Sequence, residues 1–215
     1  NECYASYAVQ HAAKKARIPL NTDEDSRSVH YVVVLGTDAV MLGGTRIHVR
    51  SASNPLPMEM AMPHEARLTE ALDRRQALGL VEYAGLWALP AYRGTGLSGL
   101  VSCLAVAVTP LLGARVGCGF THHHLTFWTP LGFSMDTTLG FFAYPDERYC
   151  SYVLWVDPVN LESADPDYRQ TVFKMREALL RGRSIFWEPG NEPLHDQIRL
   201  RRPKVRQPFV SVPLG

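Results

Sequence analysis

Several absences narrow the field before any motif is read. Charge is nearly balanced: 22 Lys and Arg against 21 Asp and Glu leave a net charge of +1. That excludes the basic footprint a nucleic-acid binder needs. Cysteine is scarce. Cys3, Cys103, Cys118 and Cys150 show no paired spacing, so no disulfide framework is expected, and free thiols point to a reducing, cytoplasmic setting. Long apolar runs are missing too. The longest, residues 97–113, is about 17 positions and is broken by Ser98, Ser102 and Pro110; a membrane span needs about 20, so the run reads as a buried helix. No secretory leader is legible, and the chain opens on Asn1 rather than Met, which leaves room for a preceding piece.

What is present is a globular composition. Of 215 residues, 46% are hydrophobic and 20% charged, enough for one sizeable core with an appendage. Residues 1–17 carry a helical Ala and Val pattern ending in Lys14, Lys15 and Arg17. Residues 29–35 are β-branched and predict a strand. Gly36-Thr37-Asp38 turns it into a second strand over 40–49, with a bulge at Gly43-Gly44. Residues 51–63 read as irregular, 65–77 as an amphipathic helix with Leu68, Ala71 and Leu72 on one side, and 80–89 as a strand. A helix over 98–112 follows, then a strand over 115–120 and a short helix over 122–131. Residues 133–144 and 151–156 pair across Pro145-Asp146-Glu147-Arg148, and a last helix spans 167–181. The stretch 188–215 holds five prolines and many arginines and reads as an extended tail. The order predicts a mixed α/β sheet, mostly antiparallel, with one parallel crossover in the middle and helices on both faces.

The most informative stretch is Val81 to Leu100. A strand runs into Pro90 and then into Arg93-Gly94-Thr95-Gly96-Leu97-Ser98, which opens a helix. Glycines let backbone N–H groups approach a ligand, and a helix N-terminus favours an anion. A dinucleotide fingerprint needs a carboxylate about 20 residues on, yet no acidic residue follows until Asp136. A phosphate-binding P-loop needs a lysine, and none lies near. An ordinary strand-to-helix turn is the plain alternative.

The spacing Arg93-x-x-Gly96-x-Ser98, after Leu86-Trp87-Ala88-Leu89-Pro90-Ala91-Tyr92, resembles the acyl-CoA loop of the GNAT acyltransferase superfamily. Leu125 to Phe133, LTFWTPLGF, resembles that family's second signature. The likeness extends over residues 29–157 and implies an acyltransferase domain over 1–160, followed by a C-terminal helix and Pro/Arg-rich tail over 161–215. It further implies that Arg93, Gly94, Thr95, Gly96, Leu97 and Ser98 hold the pyrophosphate of acetyl-CoA or another acyl-CoA. Leu86, Trp87, Ala88 and Leu89 would line the pantetheine. Leu56-Pro57-Met58-Glu59 with Val81-Glu82-Tyr83-Ala84-Gly85-Leu86 is similar to the autoinducer-synthase and N-acyl amino acid synthase branch, although Gly85 stands where that branch has Arg. Members of that branch often take long acyl chains from an acyl carrier protein.

Acylating an amine requires a base, an oxyanion site and a leaving thiolate. Glu82 is the candidate base, a carboxylate in an otherwise apolar strand whose desolvation would raise its pKa; a strand-end Glu paired with an Arg is the alternative. His122, His123 and His124 are further candidates for base or proton shuttle, but neighbours point apart, so no metal site is expected. The family's usual acid, a tyrosine four residues before Gly132-Phe133, is replaced by Trp128, which reads as packing on the pantetheine or the core. Tyr144, Tyr149 or a histidine would take that role, or the thiolate leaves unprotonated. Cys118, in an expected buried strand, reads as inert. The expected function is acyl-CoA-dependent N-acylation of a small amine. A carrier-protein-dependent synthase is one alternative and a degenerate acyl-CoA-binding module the other. The tail reads as a dimer contact or a pocket lid.

Overall fold

The computed structural model describes residues 28–122, 125–188 and 193–201. Strand β1 (Val29–Leu35) and β2 (Met41–Val49) form the N-terminal hairpin, closed by the Gly36 N–H bonding to the Val40 carbonyl at 2.8 Å. Helix α1 (Pro57–Ala61) and α2 (Ala66–Gln76) lead into β3 (Leu80–Ala88), and α3 (Leu97–Val108) into β4 (Val116–Thr121). A short α4 (Leu125–Trp128), β5 (Ser134–Met135), β6 (Phe141–Ala143) and β7 (Cys150–Val156) complete the sheet. Helix α5 (Pro166–Leu180) and a separate hairpin, β8 (Ser184–Trp187) with β9 (Ile198–Arg201), close the described chain.

The main sheet has seven strands in the order β1-β2-β3-β4-β7-β5, with β6 also on β7. Among the described residues only β3 and β4 run parallel; every other pair is antiparallel. This is the mixed sheet the element order predicts, and α3 is the crossover that parallel pairing requires. Residues Cys3, His123, His124 and the segments 1–17 and 202–215 lie outside the described residues.

Alternation along β3 separates two cores. Val81 packs with α3 and α5, against Leu97, Val101, Val172 and Met175; Leu80 packs with α1 and α2, against Leu56, Met58, Leu68 and Leu72. Each such fully buried aliphatic side chain contributes about 1.5–3 kcal/mol. Helix α3 buries nine of its twelve residues, so it is apolar nearly all round, as an interior helix must be. Helices therefore cover both faces.

Three segments differ from the sequence reading. Residues 57–61, within the stretch expected to be irregular, form α1. Its five residues are too few to show a period; Pro57 at the first turn and the Leu56 N–H to Glu59 Oε2 bond of 2.8 Å hold its start. The expected strand 133–144 is two short strands. Asp136 interrupts it, its Oδ1 accepting from the backbone N–H groups of Thr138 and Leu139. Within the stretch read as a tail, Ile198–Arg201 pairs with Ser184–Trp187 as a hairpin.

Candidate functional site

The sheet opens where β3 and β4 part. Their parallel register runs from Leu80↔Val116 to Tyr83↔Gly119 and stops, while β3 continues to Ala88 and β4 to Thr121. Beyond Tyr83, β3 has no ladder partner on the β4 side among the described residues. A Cβ on Gly119 would meet nothing within 4 Å, so the sheet face is open where the ladder ends. On its other edge β3 carries a bulge. Arg46 pairs with Ala84 but Gly44 with Trp87, so β3 has one residue more than β2 over this interval. Gly85 absorbs the extra residue at φ +66°, a left-handed backbone that costs a residue with a side chain about 1–2 kcal/mol.

The glycine loop lies at the same end of β3. Leu89 N–H bonds to Leu42 O at 2.8 Å, a short 3-10 turn spans Pro90–Tyr92, and Thr95 Oγ1 bonds back to Tyr92 O at 2.7 Å. Gly96 is the N-cap of α3 at φ +87° and no side chain caps this end. The first N–H groups of α3 therefore face the loop with helix-dipole charge behind them. Arg93 is exposed at the mouth and Leu97 fully buried beneath. Of the strand residues expected to line a pantetheine, Leu86 and Ala88 turn toward the α3 core, while the Trp87 indole lies over Gly44. Two C-terminal residues also reach this end. Gln197 Oε1 sits 3.9 Å from where a Gly96 Cβ would be, and the Tyr168 ring packs on Gly99.

Glu82 lies on the opposite face, only 4% exposed. Its Oε2 accepts the Met58 backbone N–H at 2.9 Å, so the Leu56-Pro57-Met58-Glu59 segment touches the candidate base directly. Burial pushes the Glu82 carboxyl up to about 8; the Met58 bond and the Arg46 guanidinium pull the other way, and Glu59 adds to the rise. Arg50 fixes this segment. Its guanidinium grips both Glu59 oxygens at 2.9 and 2.6 Å and reaches Asp73 at 2.7 Å and Gln76 at 3.1 Å. Tyr83, the next residue, faces the other way: its hydroxyl donates to Thr109 Oγ1 at 2.7 Å, since Thr109 itself donates to Ala105 O.

The other candidates are dispersed. Cys118 is level with Glu82, and His122 lies four residues farther on, roughly 13 Å along the strand direction. Glu82 and His122 thus form no direct pair; the His122 ring packs on Tyr149 at 4.7 Å between centroids. Tyr144 packs on Phe120 at 5.5 Å. Trp128 stacks edge-on with Phe127 and Phe133 at 4.8 and 5.1 Å and joins the α3 core. Cys118 is fully buried, its thiol pushed well up by burial and by Glu82, and its Sγ bonds to Val81 O. No group of three or more His, Cys, Asp or Glu that could hold a metal ion occurs among the described residues, nor any helix long and apolar enough to cross a membrane.

Solved structures share this fold. An N-acyl amino acid synthase, FeeM, from uncultured soil microbes superposes with a TM-score of 0.52 at 16% identity, over 75% of this chain and 89% of its own. The CoA-dependent acyl-homoserine lactone synthase BjaI, solved with SAM and isopentyl-CoA, gives 0.53 at 14% identity over 90% and 86%. The CoA-dependent acyl-homoserine lactone synthase MesI gives 0.50 at 19% over 80% and 87%. The chain has the GNAT fold. No family model matches the sequence, and no curated protein does. The GNAT likeness is thus carried by backbone geometry.

The sequence reading missed two residues of this GNAT sheet. Arg46 and His48 alternate on β2 and are 7% and 6% exposed. The Arg46 guanidinium lies 3.5 Å from where a Gly85 Cβ would be, so a neighbouring strand fills the space left by the missing side chain. His48 stands opposite Glu82. Burial, aided by Arg46, pushes its imidazole down to about 4. The signal was there: a charged and a titratable residue two apart on one face of an apolar strand.

Proposed function

We propose that this chain is an N-acyltransferase that moves an acyl group from acyl-CoA to a primary amine by direct attack. The observation that carries the reading is the buried Glu82 carboxyl on the strand that then splays from β4. In this scheme the α3 N-terminus and Arg93 bind the pyrophosphate, and Ala84 to Leu89 flank the pantetheine. Glu82 takes a proton from the acceptor ammonium. The freed nitrogen lone pair attacks the thioester carbonyl, and backbone N–H groups of the bulged strand stabilise the oxyanion. The adduct nitrogen gives its second proton to water, the C–S bond breaks, and the CoA thiolate leaves into solvent. Trp128 is committed to the core, so Tyr144 and the histidine that follows β4 are the residues to test for protonating that thiolate.

A base with a pKa near 8 is largely protonated at neutral pH, so the rate of transfer climbs up to about pH 8. The test is thiol release from acetyl- through palmitoyl-CoA with a panel of amines, wild type against Glu82→Gln. Turnover that depends on Glu82 supports the scheme; equal turnover in both proteins removes Glu82 from it.

One observation favours a second donor. The Met58 N–H to Glu82 bond joins the two segments that resemble the synthase branch, and the superposed FeeM is an N-acyl amino acid synthase. A long-chain acyl group on a carrier protein, passed to an amino acid, is therefore the other arm of the same assay. Turnover with acyl carrier protein and none with any acyl-CoA would select it.

A further inference from the structure

Glu82 is not the only buried titratable group on the acceptor side of the sheet. We propose that His48 is the proton partner of Glu82, a positioning residue that shares the carboxyl's proton and so sets the pH at which Glu82 acts. The proposal deepens the acyl-transfer reading and rests on it for its catalytic meaning.

The geometry comes from the register. His48 and Glu82 are directly opposed across the antiparallel β2–β3 pair, so both side chains rise from the same face, with Cβ atoms about 4.5–5.5 Å apart. Both are buried, at 6% and 4% exposure. His48 Nε2 is buried with no hydrogen-bond partner among the described residues. Buried polar nitrogens are nearly always paired, and an exception calls for a reason such as a catalytic role. A carboxyl directly opposite on the next strand, within the span of a single bridging water, supplies that reason.

The surrounding groups leave these two as the pair able to exchange a proton. From β2, Arg46 disfavours the imidazolium and favours the carboxylate. From β4, Cys118 keeps its proton and donates to Val81 O. From α1, Glu59 is bound by Arg50 and the Leu56 N–H. With His48 near 4 and Glu82 near 8, the pair holds one proton across that window, and its two titration steps belong to the pair rather than to either residue. In the transfer step Glu82 accepts the ammonium proton as the C–N bond forms. The proton rests on the Glu82 carboxyl, the more basic member of the pair, with the His48 imidazole positioning it, and is released to water once the amide and the CoA thiolate have left.

The test reads the protein with and without substrate. In an NMR titration of the substrate-free chain, the His48 ring shifts should move with the upper step near pH 8 as well as the lower. In Glu82→Gln the upper step should vanish from His48. Ring shifts blind to the upper step in wild type would overturn the pairing, whether or not any amine is acylated. In the activity assay, His48→Phe should move the acid limb of the kcat/KM profile by about one pH unit; His48→Gln serves if the Phe variant does not fold. A profile that superimposes on wild type in both variants would also overturn it. If neither wild type nor variants acylate anything while the NMR coupling is present, the acyl-transfer reading fails and the pair stands.

Discussion

The two ends of the site are built in different ways. The proposed cofactor loop, Arg93 to Ser98, is contiguous in sequence and is built from backbone features: glycines, a turn and an uncapped helix end. The proposed acceptor side, with Arg46, His48, Met58 and Glu82, is drawn from β2, α1 and β3 and centres on buried side chains. A contiguous backbone motif tolerates most changes of side chain. An assembled site depends on every element that holds it, and here Arg50 is the clamp, joining α1 and α2 through Glu59, Asp73 and Gln76.

That contrast can be broken by mutation, beginning with the largest effect. Glu82→Gln should lower kcat by about 10²- to 10⁴-fold, the usual worth of a general base, while the thermal shift given by CoA stays as in wild type. A loss of CoA stabilisation in that variant would show that the two ends are not separable. Arg50→Ala should destabilise by about 3 kcal/mol, because it strips the cation from the mostly buried Glu59 carboxylate and leaves it the Leu56 N–H. Denaturant melts would read this as a lower midpoint, and the CoA shift of the folded fraction should persist.

A pH experiment sharpens the same division. Glu82 is raised from 4.5 to about 8, so the folded chain keeps a proton that the unfolded chain releases. Its contribution to stability is complete below about pH 4.5 and is lost as pH rises through about 8. Glu82→Gln removes this slope. The melting temperature of the variant should gain on wild type between pH 5 and pH 9 by several degrees, at about 2–4 °C per kcal/mol for a chain of this size. His48, lowered from 6.5 to about 4, works in the opposite sense: its contribution is complete above about pH 6.5 and falls away toward pH 4. Parallel melting curves for variant and wild type across pH would contradict the buried, neutral Glu82.

Smaller effects belong to the loop. Gly96→Ala places a Cβ at φ +87°, which should cost about 1–2 kcal/mol of stability and shrink the CoA thermal shift, with the amine KM unchanged. Arg93→Ala removes one exposed cation and should weaken CoA binding about three- to ten-fold with no change in the melt of the free protein. An effect of Arg93→Ala on the amine KM would mean that loop and acceptor side communicate.

Legibility followed the same line. Pro90, Gly94 and Gly96 announced the loop because turn and helix-start chemistry is local. Glu82 was legible as a lone acid in LVEYAGLWA, since a charge in an apolar strand must be explained. Trp128 could be assigned to the core only once Phe127 and Phe133 surrounded it. Helix α1 was missed because five residues show no period, and Asp136 was missed as a strand breaker although its bonds to the N–H groups two and three residues on are local turn chemistry. His48 and Arg46 stayed hidden because their meaning lies in what stands across from them on β3.

By itself the sequence determined the order of the main elements, the mixed sheet with one parallel crossover, the glycine-opened start of α3 and the isolated acid on the third strand. These follow from periodicity, β-branching, glycine and proline, which act over a few residues. Tertiary structure alone decided that β3 and β4 part after Tyr83, that the Met58 N–H reaches Glu82, that Arg46 fills the space beside Gly85 and that His48 faces the acid. Each depends on register between strands distant in sequence, and register is set by the packing of whole faces rather than by any local signal.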